Sequence, residues 1–449
     1  MVTLIDLLST TYAPIQTMIL PYLDVGDVIA LGRTCKGFGQ IQPVLEATTY
    51  NINHQLKKFF QDPIEFRSVL GECNGLIGRD FARQFLSLSK IATDTLVLYV
   101  GGAGAGPRKK LLDIIRTNGY ELENETFGEF SKQNGTHGRL YIDSCNWETT
   151  AITCLLGEAR TTADVSFISW NKAYSLFPYH NFIKKESFML EFIDDDYSRV
   201  NLNNLTNEGI KTKTVSWSHR KHTFKVSDAG YDDADELRRR RRIGDTFSWV
   251  LNLDVEGVQP SHVPDTVLEI STFRLQLSSK YANDWQVTNY EVEFEDIISH
   301  PVLRHRYITL TEDTCYDDDE LSLFDANGQR IRTSHFTRRC DELCDRLDEL
   351  TLVELTKIPS AERPPQFAQL SAGHGAIKEA HKTRGLFKLP STWTFYDDEV
   401  IAFLNKTWVE QQLLDKREEA RRKAMFFELA EKEQMEAIKK GRRAREELE

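Results

Sequence analysis

The 449-residue chain reads as an α+β protein on three observations. Short runs rich in valine, isoleucine and aromatics, such as TLVLYV at 95–100 and GRLYIDSC at 138–145, have strand character. Segments with apolar residues three or four apart, such as GRDFARQFLSLS at 78–89 and RKKLLDIIRTNG at 108–119, have the period of a helix packed along one side. The two kinds alternate through the middle of the chain, then strands crowd before residue 335 and helices follow it. A composition of 40% hydrophobic and 28% charged residues is that of an ordinary folded protein.

The elements divide the chain at about residues 70, 200, 335 and 396. Residues 1–70 predict a helical module: Ile15, Met18, Ile19 and Leu23 share one helical face, and Val28, Leu31, Cys35 and Phe38 share another, with Asp27 as N-cap of the second helix. Residues 71–200 predict an α/β domain in which helices pack on a sheet. Residues 201–335 predict a β-rich extension that ends in a hairpin, LSLFDANGQRIRT at 321–333, whose Asn327–Gly328 pair suits a turn with positive φ. Residues 336–396 predict a helix, TRRCDELCDRLDELTLVEL, and a proline-containing connector. Residues 397–449 predict a long charged helix with glutamate and lysine or arginine four apart, too short of sustained heptads for an independent coiled coil.

Charge and composition exclude several classes. A net charge of −12 argues against a general nucleic-acid binder, which needs a basic surface. No secretory leader and no apolar run of about 18 residues is apparent. A cytoplasmic or nuclear protein with no membrane partner is therefore expected. The seven scattered cysteines fit reduced thiols. The sequons at Asn124, Asn134, Asn204 and Asn405 then carry no weight.

The stretch IQTMILPYLDVGDVIALGRTCKGF at 15–38 resembles an F-box, through Ile19, Tyr22, Leu23, Asp24, Asp27, Leu31, Arg33, Cys35 and Lys36. Thr11–Tyr12 stands where the pattern usually opens with Leu-Pro. The resemblance implies docking to a Skp-type adaptor, and hence a cullin-RING ubiquitin ligase, through Ile15, Met18, Ile19, Leu20, Pro21, Leu23, Val28, Leu31, Cys35 and Phe38. A helical pair this small does not bury its own apolar stripe, so a partner groove would cover it. The competing expectation is that residues 1–50 pack on the rest of the chain.

Further on, VLGECNGLIGRDFARQFLSLS, TDTLVLYVGG and VSFISWNKAYSLFPYHNFI resemble filamentous-fungal F-box-type proteins whose middle domain is similar to a nucleotidyltransferase core. That resemblance implies a Gly-Ser turn cradling phosphate, a following strand with two acids one residue apart, and a third acid on a neighbouring strand. Alternation puts both strand acids on one face, where they hold two metal ions. Here Gly78 is followed by Arg79 and Asp80, Asp94 keeps one acidic position, Leu96 takes the other, and Asp143 is the third. Leucine supplies no oxygen to magnesium. The expectation is a scaffold without catalytic residues, metal or cofactor, with Gly78, Arg79, Asp94 and Asp143 as its vestigial site. The alternative is a nucleotide-binding or transferring enzyme with an atypical site.

Other motifs are weaker. GGAGAGPRKK at 101–110 lacks the lysine–hydroxyl ending of a P-loop, and its glycines miss the dinucleotide spacing by one residue, so a plain strand-to-helix turn is expected, with Pro107 opening the helix. His335, Cys340, Cys344 and Cys315 offer only one close pair of zinc ligands, and Cys340, Cys344, Leu347 and Leu350 predict an apolar helix face instead. The acids at 194–196 and 317–319 lack calcium-loop spacing. The arginine run 238–242 suits nuclear import or phosphate, but Asp232, Asp233, Asp235 and Glu236 nearly cancel it. His219 and His222 decorate a hairpin, and no histidine shows a recognised catalytic pairing.

Overall fold

The computed structural model describes residues 23–27, 50–88, 93–101, 105–124, 128–132, 138–144, 149–192, 196–219, 237–282, 285–294, 297–309, 335–363, 389–413 and 416–417. The chain forms two compact units: one of residues 1–298 and 305–310, the other of 299–304 and 311–449.

From Tyr50 onward the first unit carries helices α1 (Ile52–Leu56) and α2 (Pro63–Glu72). Asp62 caps α2 by accepting from the Ile64 and Glu65 amides, and Pro63 follows where no amide hydrogen is needed. Strand β1 (Leu76–Gly78), helix α3 (Arg79–Ser87), strand β2 (Thr95–Val100) and helix α4 (Ala105–Thr117) come next. Then β3 (Tyr120–Asn124), β4 (Glu129–Lys132) and β5 (Arg139–Ser144) precede α5 (Ala151–Gly157), β6 (Ser166–Ile168), β7 (Lys172–Ser175) and a π-helical turn, Tyr179–Lys184. Strand β8 (Glu186–Phe188), helix α6 (Asp196–Asn207), β9 (Lys211–Lys213), β10 (Ser216–His219), β11 (Arg241–Arg242) and β12 (Trp249–Asn252) follow. The unit ends with α7 (Asp265–Glu269), the long hairpin β13 (Thr272–Ala282) and β14 (Trp285–Glu293), and the pair β15 (Ile297–Ile298) and β16 (Tyr307–Ile308).

Eight strands make one mixed sheet in the order β12-β7-β6-β1-β2-β5-β4-β3, in which β2 and β5 are parallel and all other neighbours antiparallel. A second sheet runs β10-β14-β13-β11, and β8 pairs with β9 in parallel. Alternation along the central strands separates two cores. Leu96, Leu98, Val100, Leu140 and Ile142 pack with Phe81, Phe85 and Leu86 of α3 and Leu111 and Ile115 of α4. Val97 and Tyr99 face the other way, onto Ile152 and Leu155 of α5 and onto Phe273 and Leu275 of β13.

The mixed α+β class is as the sequence predicts. The boundaries differ in detail: Tyr50, Ile52, Leu56 and Phe66 belong to the same core as the sheet, and β12 pairs with β7, so the first unit runs across residues 70 and 200. Arg67 ties α2 to the sheet layer by donating to the Trp170 carbonyl and the Asn53 side chain.

The second unit contains α8 (His335–Thr356) and a helix α9 over 397–413. Leu343, Leu347 and Leu350 form the buried stripe of α8, so the expected face keeps its two leucines while Cys344 is exposed beside it; the side chain of Cys340 lies outside the described residues. The buried Glu354 carboxylate accepts from Lys357, from the Thr394 amide and from the Tyr396 hydroxyl, which pins the segment before α9 onto α8. No helix among the described residues is long and apolar enough to cross a membrane. The expected hairpin at 321–333, the acids at 317–319 and most of the C-terminal tail lie outside the described residues.

Candidate functional site

Strand β1 ends at Gly78, and α3 begins at once with Arg79. A Cβ on Gly78 would sit 2.7 Å from the Tyr99 ring and 3.1 Å from Leu155, so packing alone requires glycine here. Arg79 takes a left-handed backbone, φ 58°, which disfavours a side chain by about 1–2 kcal/mol. Its guanidinium offsets that strain: Nε donates to the Tyr99 hydroxyl at 2.8 Å and Nη2 to Glu158 Oε2 at 2.8 Å.

Glu158 is the C-cap of α5 and has the Asp143 carboxyl of β5 as its neighbour. Burial, then the neighbouring Asp143, push the Glu158 carboxyl up to about 7, while Arg79 pulls it down. Burial also raises the Tyr99 phenol, against the pull of Arg79. The side chains of Arg79 and Glu158 are 22% and 40% exposed, so solvent reaches the cluster from one side. Four elements, α3, β2, β5 and the end of α5, thus meet in one group: Arg79, Tyr99, Asp143 and Glu158.

Two of the expected vestigial residues other than Gly78 come together here, Arg79 and Asp143, and one does not. Asp143 pairs with Tyr99 across the parallel ladder and shares its face. Asp94 is five residues before Tyr99, roughly 16 Å along an extended chain, and has the parity of the opposite face. Leu96 is buried under α3 and α4 and points away from the cluster. The side chains of β2 on the site face are Val97 and Tyr99, so the expectation that position 96 decides the metal question is corrected by one residue. The outcome for oxygen donors is the same: valine has none, and the tyrosine hydroxyl is taken by Arg79. Among the described residues no group of three or more His, Cys, Asp and Glu side chains is placed to hold a metal ion.

Sequence reasoning missed Glu158, 79 residues from its arginine, and a second cluster just behind the first. Arg83, fully buried one turn along α3, contacts Asp80 at 2.7 Å, Glu208 at 2.8 Å and Asp164 at 3.5 Å. Gln84 also donates to Glu208, Asn204 to Asp80 and Asn201 to Asp164. No local pattern announces either group.

Of the expected partner-binding positions only Leu23 is described, and it packs against the core of the body, beside the buried Val25. Ile15, Met18, Ile19, Leu20, Pro21, Val28, Leu31, Cys35 and Phe38 lie outside the described residues. The chain turns helical at Val25, and Asp24 rather than Asp27 is the cap: the Asp27 amide donates to Asp24 Oδ1 at 2.9 Å and the Asp24 amide to Asp27 Oδ2 at 3.0 Å. Asp24 also pairs with Lys185 at 3.3 Å.

The remaining motifs resolve into structural parts. A Cβ on Gly101 would meet the Thr150 carbonyl carbon at 2.5 Å, so this glycine admits the turn that starts α5. Gly102 and Gly104 lie outside the described residues, and Pro107 is the third residue of α4 rather than the first. Arg241 and Arg242 are buried on β11, where Arg241 binds Asp245, Ser248 and the Leu176 carbonyl, so the arginine run is partly interior. Cys154 is disulfide-bonded, against the expectation of uniformly reduced thiols. His300 forms a pairing the sequence did not suggest, with Asp348 at 2.7 Å and Thr351 at 2.9 Å. Thr351 is 1% exposed and also lies 2.9 Å from the Leu347 carbonyl, so this chain of bonds anchors residues 299–304 on α8 and offers no accessible nucleophile. No protein-family model, curated protein or solved structure matches the chain.

Proposed function

We propose that this chain is an F-box-type interaction protein, a substrate-recognition adaptor of a Skp-cullin ubiquitin ligase, whose middle domain is a nucleotidyltransferase-like scaffold that binds rather than reacts. The observation that carries the non-catalytic half is the closed Arg79–Tyr99–Asp143–Glu158 cluster. Gly78 before a helix, β2 as the next strand and Asp143 on its neighbour supply the order of parts that the resemblance implies. Val97 and Tyr99 stand on the face where two acids would be needed, and a phosphate would have to take Arg79 from Glu158 beside a second carboxyl group. A fold without its site does not bring its chemistry.

The adaptor half rests on the pattern through 15–38. Retention of a Skp-type adaptor by the purified full chain, abolished by Leu20→Asp and by Leu31→Asp, is the expected result, and a wild-type chain that retains none removes this half. For the scaffold half, calorimetric titration with magnesium and each nucleotide should show no binding tighter than about 100 micromolar, roughly 5–6 kcal/mol. Tighter binding that is lost in Asp143→Ala overturns it. One observation favours the alternative of an enzyme with an atypical site: a carboxyl group titrating near neutrality beside an arginine is suited to proton transfer. The same titration decides between the two.

A further inference from the structure

Asp164 is held away from bulk water, 4% exposed, and its two carboxylate oxygens are treated unequally. Oδ2 accepts from the Thr161 amide and hydroxyl, each at 3.0 Å, and from Asn201 Nδ2 at 2.9 Å. Oδ1 accepts no hydrogen bond from any described residue. Arg83 Nη1 stands 3.5 Å from it, whereas the other nitrogens of the same guanidinium bond Asp80 and Glu208 at 2.7 and 2.8 Å. Nη1 likewise donates to none of the described residues, and Asn201 Oδ1 accepts from none. All three atoms are buried, so each has given up its hydration without a protein bond in return. Turning the Asn201 amide over is no remedy, because its oxygen would then face Asp164 Oδ2, acceptor against acceptor.

We propose that one ordered water molecule is built into this cluster, accepting from Arg83 Nη1 and donating to Asp164 Oδ1 and Asn201 Oδ1. The count of donors and acceptors selects the ligand. One donor and two acceptors are the complement of water, which has two hydrogens to give and lone pairs to receive, and an internal water typically makes about three such bonds. A metal or ammonium ion has no lone pair for the Nη1 hydrogen, and a halide has no hydrogen for the two oxygens. The water joins α3 to α6 at Asn201, as Asn204 joins them directly through Asp80. Held by three fixed atoms, it is a member of the cluster and not an opening to solvent. The site is separate from the Arg79 cluster and depends on neither the adaptor nor the scaffold reading.

Oxygen-17 and deuteron relaxation dispersion on the full chain counts the water molecules held inside it. Asn201→Leu removes one acceptor and fills the space with methyl groups, and should hold one water fewer than the wild type. Asn204→Ala cuts the neighbouring α3–α6 bond but touches none of the three atoms, and should keep the wild-type count. Equal counts in wild type and Asn201→Leu, or the same loss in Asn204→Ala, overturn the proposal. Should Asn201→Leu fail to fold by circular dichroism, electron density of the wild-type crystal decides. A peak within about 2.6–3.2 Å of all three atoms is the expected result, and Nη1 closed directly onto Oδ1 with no peak overturns it. Thermal melts of the wild type in sodium, potassium, ammonium and choline chloride at one ionic strength should coincide. A rise in melting temperature specific to one small cation assigns the site to an ion and overturns the water.

Discussion

Two arginines four residues apart on α3 occupy opposite electrostatic settings. Arg83 has no exposed side-chain surface and stands among three carboxylates from α3 itself, from the loop before β6 and from the end of α6. Burial alone would lower its basicity, but the Glu208 hydrogen bond and the charges of Asp80, Glu208 and Asp164 more than reverse this and hold it above the ordinary arginine value. Arg79 is partly solvated, meets one carboxyl group and one phenol, and sits on a strained backbone. The difference teaches that burial sorts similar ion clusters into different roles. A dry cluster tolerates no loss of a member, whereas a wet one can open because water replaces what it gives up.

Removing each arginine breaks the comparison at its two ends. Arg83→Met leaves Asp80, Asp164 and Glu208 without their cation, and the expected loss is about 3–5 kcal/mol in urea unfolding, enough to leave the first unit unfolded at modest temperature. A loss below about 1 kcal/mol would show that these acids are protonated or hydrated in the folded chain. Tyr99→Phe deletes the partner of Arg79 Nε without creating a cavity, so a loss of about 0.5–1.5 kcal/mol is expected. Arg79→Gly has the smallest net effect: it relieves about 1–2 kcal/mol of backbone strain while giving up a surface ion pair worth 0–1 kcal/mol and one hydrogen bond. Thermal melts should place it within about 1 kcal/mol of the wild type, and a loss as large as that of Arg83→Met would erase the distinction drawn here.

What the sequence makes legible follows from how local each signal is. The strands at 95–100 and 139–144 and the helices α3, α4 and α8 are visible because their apolar periods are set within a few residues. The parity of β2 is harder. With a period of two, a one-residue shift in reading carries every side chain to the other face, and a reading anchored on Asp94 puts Leu96 in the site where the ladder puts Val97 and Tyr99. Glu158, Asp164 and Glu208 were illegible as partners of α3 because they approach from 79 to 125 positions away. The pairing of β12 with β7 is invisible for the same reason, since nothing near Trp249 says that it completes the sheet begun at β1.

Asn204 bears a further consequence. Its side-chain amide donates to Asp80 Oδ2 at 2.9 Å, where α6 meets the first turn of α3, and the residue opens an Asn-Leu-Thr triplet. A sugar attached to that nitrogen would leave it a single hydrogen, so the bond to Asp80 would persist only with that hydrogen turned toward α3. The α3–α6 contact therefore restricts which of the two amide hydrogens of Asn204 a modification could replace.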